Sequence, residues 1–165
     1  MQGIPLNERK RLGALLDDRP QTEVMAMIPQ FSQAETDNFV APPAQIPEAL
    51  GVLMFNMERG VNLPEIQEFL RDCPDIQPFD VILANELDDG CARSGNKNTA
   101  RELAQAFGLN YAWGLEFIEL VNDENAKGFH GNAVFSRWPI RRAGVIRLPE
   151  QYNWYFDRQK RIGGQ

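Results

Sequence analysis

The sequence predicts a mixed α/β (α+β) chain, and three observations carry that expectation. Two short, uninterrupted apolar runs, residues 52–55 and 81–84, suit strands buried on both faces. Between them lies a segment whose apolar residues recur at helical spacing. After residue 110 the spacing of apolar runs and turns changes to that of antiparallel hairpins. A strand, a helix and a strand within so short a stretch read as a crossover unit with its two strands parallel. The expected architecture is a mixed sheet layered with helices.

Composition sets the bounds. The 165 residues suffice for one ordinary domain, and 43% hydrophobic with 24% charged residues allow a packed core. Lys and Arg number 17 against 23 Asp and Glu, a formal net charge of −6. Nucleic-acid coating rests on clustered positive charge, so that balance gives it no support. A local phosphate-handling site stays compatible, because a bound metal inverts the charge of its surroundings. Cys73 and Cys91 have no metal-ligand spacing; two reduced thiols are expected, with one disulfide as the alternative. No apolar run approaches the roughly 18 residues of a membrane span, and the N-terminus lacks a secretory signal pattern. The expected location is the cytoplasm.

Along the chain, residues 1–49 read as a lead-in that packs on the surface of a domain formed by residues 50–165. A short helix is expected over residues 8–16, with Leu12, Leu15 and Leu16 on one side. Pro42, Pro43 and Pro47 make residues 39–48 an extended linker. The first apolar run ends at Gly60. Asn62 is placed to cap the following helix, with Pro64 in the first turn, Glu65 three residues after the cap, and Ile66, Phe69 and Leu70 facing the sheet. Pro74 and Pro78 end it. The second apolar run follows, bounded by Asp80 and Glu86. Thr99 and Glu102 have capping-box spacing for a second helix, with Leu103, Ala106 and Phe107 as its stripe and Gly108 as its stop. Trp113, Phe117 and Ile118 are candidate core, residues 122–128 a polar turn, and residues 133–135 and 143–148 two closing strands.

Each crossover strand ends in a polar residue, Asn56 on the first and Glu86 on the second. Ligands of open α/β sheets bind beyond the carboxyl ends of the strands. Neighbouring parallel strands would bring these two side chains to one rim. A carboxylate and an amide oxygen are hard donors suited to Mg²⁺, which takes few protein ligands and keeps several waters. The plainer alternatives are a solvated Glu86 paired with Arg59 or Arg93, and an Asn56 that satisfies turn backbone. Arg93, Ser94, Asn96 and Asn98 lie in the loop after Glu86. Of these, Arg93 and Asn96 are candidates to touch a substrate phosphate, against a solvated loop leading into a helix cap. Arg141, Arg142 and Arg147 read as a solvated edge-strand face.

Three strings decide between these readings. Phe55-Asn56-Met57-Glu58-Arg59-Gly60, then residues 80–86 (Asp-Val-Ile-Leu-Ala-Asn-Glu), then residues 131–140 (Gly-Asn-Ala-Val-Phe-Ser-Arg-Trp-Pro-Ile) occur in order. Together they resemble the endonuclease/exonuclease/phosphatase superfamily of metal-dependent phosphoesterases, over about residue 50 to the C-terminus. The resemblance implies half of a four-layered α/β sandwich: a mixed sheet with helices on one face, open where a further half would pack. It implies Mg²⁺ or Mn²⁺ on Glu86, with Asn56 beside it, and a phosphate-ester substrate. Many members place Gln where this chain has Asn85, so a contact by that residue is not carried over. The family's catalytic histidines lie beyond the third string; the general base is thus expected outside this chain, and His130 is expected as an exposed turn residue. The implied function is a divalent-metal-dependent phosphoester or phosphodiester hydrolase domain, incomplete and weakly active or inactive as this chain. Its alternative is a non-catalytic binding or regulatory module on the same half-fold. An open sheet edge would favour self-association.

Overall fold

The structure is a computed structural model that describes residues 1–149 and 161–163. Among these residues lie four α-helices and a six-stranded mixed sheet. In chain order they are α1 (Leu6–Leu15), α2 (Gln21–Ala26), β1 (Ala34–Asp37), β2 (Val52–Arg59), α3 (Leu63–Asp72), β3 (Val81–Asp89), α4 (Thr99–Phe107), β4 (Asn110–Glu119), β5 (Phe129–Ser136) and β6 (Arg161–Gly163). The sheet order is β1-β4-β5-β3-β2, with β6 pairing the far end of β4. Among the described residues only β2 and β3 pair in parallel, joined through α3 as the apolar runs predict. The remaining pairs are antiparallel. The mixed α/β expectation therefore holds.

The helix after β2 starts where Asn62 and Pro64 place it, although Asn62 makes no side-chain cap hydrogen bond. Leu63 and Leu70 are its buried residues, and Phe69 stacks on Phe55. In α4 the cap is Asn98, whose side chain accepts from the Arg101 N–H, one residue earlier than the capping-box expectation. Thr99 instead donates to the carbonyl of Asp88, tying the helix start to β3. The buried stripe is Ala100, Leu103 and Ala104; Ala106 is exposed. Gly108 ends the helix at φ +59, the left-handed region glycine adopts without a Cβ clash.

Four expectations need correction. Neither apolar run is buried on both faces: Val52 is 55%, Met54 74% and Leu83 37% exposed, because no helix among the described residues covers that face and β2 is also an edge strand. Residues 1–49 supply core, since Ile4, Leu12, Leu16, Val24, Ile28 and Phe31 join the same apolar cluster as the sheet, and β1 lies in it. Residues 143–148 form no ladder. They cross the face of the sheet opposite α4, where Arg147 donates to the carbonyls of Phe31 and Leu115, so Arg147 is a tether rather than an edge charge. His130 is 6% exposed and lies inside β5, which begins earlier than the apolar run at residues 133–135 suggests. Of the chain's closing residues, Arg161–Gly163 pair with β4, and residues 158–160 and 164–165 lie outside the described residues.

Candidate metal site on the sheet face opposite helix α4

Helix α4 packs against β3 and β4, and α3 against α4. Alternate residues on that side, among them Ile82, Ala84, Tyr111, Trp113 and Phe135, are buried. The opposite face carries Met54, Leu83 and Val134, all substantially exposed, and then a row of polar side chains. That row coincides with irregularities in three strands. Register shifts fall between Asn56 and Arg59 in β2, between Ala84 and Leu87 in β3, and between Leu115 and Phe117 in β4. Bulges re-aim side chains and concentrate beside functional sites.

The bulge in β3 sets Glu86. Ala84 faces Ala133 and Leu87 faces Gly131, so Asn85 and Glu86 together oppose Asn132 alone. Glu86 takes φ +58, a conformation uncommon outside glycine. Its N–H donates to Asn132 Oδ1 at 3.1 Å. The carbonyl of Leu87 accepts from the Trp113 indole at 3.2 Å. Gly131 is required at this level, because a Cβ there would meet the carbonyl oxygen of Gly114 at 2.1 Å.

Asn56 and Glu86 meet as the sequence predicts. Asn56 Nδ2 donates to Glu86 Oε1 at 3.1 Å. The amide oxygen is used differently from the expectation of a shared cation: it accepts the Glu58 N–H at 2.8 Å, closing a turn at the irregularity of β2, which runs on to Arg59. Asn56 therefore orients the carboxylate rather than contributing a second free oxygen. Asn132 Nδ2 donates to Glu116 Oε2 at 3.0 Å, which brings a second carboxylate into the row. Sequence reasoning assigned neither Asn132 nor Glu116 a role; the bulges that make them neighbours leave no pattern in composition.

A divalent ion can be tested against this donor set. Glu86 Oε2 has no hydrogen-bond partner among the described residues, and the donors present are hard oxygens. That suits Mg²⁺ or Mn²⁺ held by one or two carboxylates with water completing the shell. Among the described residues no group of three His, Cys, Asp or Glu side chains is placed to enclose an ion. The fit is to an open, water-rich site, not to a protein cage.

Further along the same strands the chemistry changes. Asp88, fully buried, accepts from Arg93 Nε at 2.7 Å, Arg93 Nη2 at 2.8 Å and Ser94 Oγ at 3.1 Å, and pairs with His130 Nδ1 at 2.9 Å. Burial pushes its carboxyl up, but the hydrogen bonds from His130 and Arg93 outweigh that and hold it below the usual range. Arg93 also reaches Glu119. Its guanidinium is thus committed to two carboxylates, and it is not brought to the Asn56–Glu86 pair as a phosphate contact. Asn96 is likewise committed, donating to the Glu124 carbonyl and accepting from the Ala126 N–H, so it pins one loop to another. Cys73 and Cys91 are both free thiols; burial pushes the Cys91 thiol up, which keeps it protonated. No helix among the described residues is long and apolar enough to cross a membrane. No family model matches the sequence, and neither the curated proteins nor the solved structures contain a match.

Proposed function

We propose that the chain is a divalent-metal-dependent phosphoesterase domain in which Glu86 is the principal ligand for Mg²⁺ or Mn²⁺ and Asn56 orients it. The observation that carries this reading is the 3.1 Å contact between Asn56 and Glu86 at the irregularities of two parallel strands, with one carboxylate oxygen left without a partner among the described residues. The superfamily strings supply the reaction class. A cation there would act as a Lewis acid on a phosphoryl oxygen. The side chains' own contributions are to aim one carboxylate and to leave it partly exposed, with no arginine paired to it among the described residues.

A phosphate-ester substrate is the partner in this reading. Its class stays open, with long nucleic acid disfavoured by the net charge of −6. A cytoplasmic setting belongs to the same proposal. Among the described residues no unpaired base contacts Glu86 or Asn56, so slow turnover by this chain is expected. Loss of one member of a catalytic unit costs about 10³ or more in rate. The test is Mn²⁺ added to the labelled protein while amide signals are followed. Paramagnetic broadening confined to residues around Asn56, Glu86 and Asn132 supports the site. Broadening spread over the acidic surface, unchanged in Glu86→Gln, removes it.

A second reading is a binding module that keeps the fold without a cation. The exposure of Met54, Leu83 and Val134 on the sheet face opposite α4 favours it. Indifference to Mg²⁺ and Mn²⁺, together with concentration-dependent self-association in light scattering, would select it.

A further inference from the structure

We infer that Asn132, itself steered by Glu116, is the positioning residue that holds Glu86 in its left-handed conformation and thereby sets the cation affinity of the site. The inference rests on the reading of Glu86 as a ligand, and it adds the part that makes Glu86 point where it does. At the bulge the Glu86 N–H is displaced from the ladder, and Asn132 Oδ1 receives it at 3.1 Å. A non-glycine residue at φ +58 is held against its own preference, so it depends on such a bond. The orientation of the Asn132 amide is fixed from its other end, where Nδ2 donates to Glu116 Oε2 at 3.0 Å. Reversed, the amide would set NH₂ against the Glu86 N–H and its carbonyl against a carboxylate. Glu116 is delivered by the irregularity in β4, where Leu115 faces Gly131 and Phe117 faces His130. Two displaced strands therefore close on one amide from opposite sides. Without the Asn132 oxygen, Glu86 would relax toward negative φ, and its carboxylate would turn away from Asn56.

Partners that orient a ligand are worth about 10–100-fold in metal affinity. Asn132→Ala is expected to weaken Mn²⁺ binding, read by electron paramagnetic resonance of the free ion, by about that factor. Glu116→Ala is expected to weaken it less. The exchanged pair Asn132→Asp with Glu116→Gln rebuilds both bonds with the donor reversed and the charge unchanged, and should recover binding to within about threefold of wild type. A purely structural role for Asn132 would not be rescued by that exchange. Hydrogen exchange of the Glu86 amide without metal gives a second, independent readout: protection should fall in Asn132→Ala and return in the exchanged pair. Unchanged protection in Asn132→Ala overturns the positioning role, whatever the cation does. If wild type itself fails to bind Mn²⁺, the ligand reading fails and the claim on affinity falls with it. If Asn132→Ala does not fold, the exchanged pair decides, and weak binding in a folded exchanged pair counts against the inference.

Discussion

Two carboxylates on the same strand, Glu86 and Asp88, sit in opposite circumstances. Asp88 is fully buried and engaged by Arg93, Ser94 and His130. Glu86 is partly exposed, touched by one amide, and keeps an oxygen without a partner among the described residues. Both loops nearby carry Arg and Asn, so residue types alone do not separate a structural acid from a ligand. What separates them is saturation. A carboxylate surrounded by donors has nothing left to offer an ion, whereas one held by a single neutral donor does.

The largest effect expected from breaking this contrast is at the buried acid. Asp88→Ala leaves the Arg93 guanidinium without its bidentate partner, and removal of one side of such a pair costs about 3–5 kcal/mol. For a chain of this length each kcal/mol is worth roughly 2–4 °C in melting temperature, so the thermal midpoint should fall by about 10 °C. A loss under about 1 kcal/mol would mean that the network is incidental.

Acid should act through the same group. The folded pKa of Asp88 is depressed, so its stabilisation is present above its ordinary unfolded value of about 3.9 and is lost as pH falls through the lower folded value. Melting temperature should therefore drop below about pH 4, and that part of the drop should be absent in Asp88→Asn.

Arg93→Lys gives a smaller loss, about 1–2 kcal/mol, because lysine keeps the charge but not the fork that meets Asp88 with Nε and Nη2 together. It should leave Mn²⁺ affinity unchanged. A changed affinity would return Arg93 to the site. Glu86→Gln should have the smallest effect on the melt, within about 0.5 kcal/mol, since one hydrogen bond at an accessible position is at stake.

Much of the fold was legible because its signals are local. The parallel pair β2–β3, the helix between them and the stop at Gly108 follow from apolar runs, proline, glycine and cap residues. The pairing of Asn56 with Glu86 was legible too, since it needs only two neighbouring parallel strands, although these do not end there as expected but run on to Arg59 and Asp89. Other features were not. The exposure of Met54 depends on which strand lies at the edge, and His130 looked like a turn residue because Phe129 is followed by His-Gly-Asn, polar and small residues that give no strand pattern. The packing of residues 1–49 into the core rests on long-range contacts such as Arg9 to the carbonyls of Glu119 and Asn125. Arg93 and Asn96 were read as phosphate contacts from their loop, but their partners lie on β3, β4 and the turn before β5, which sequence separation hides.

Calorimetric titration of Mn²⁺ into wild type and Glu86→Gln tests the assignment most directly. A single site in wild type, weakened at least about tenfold in Glu86→Gln while Asp88→Asn, once folded, still binds, is the expected result. Equal binding by wild type and Glu86→Gln, or no binding by either, would contradict it.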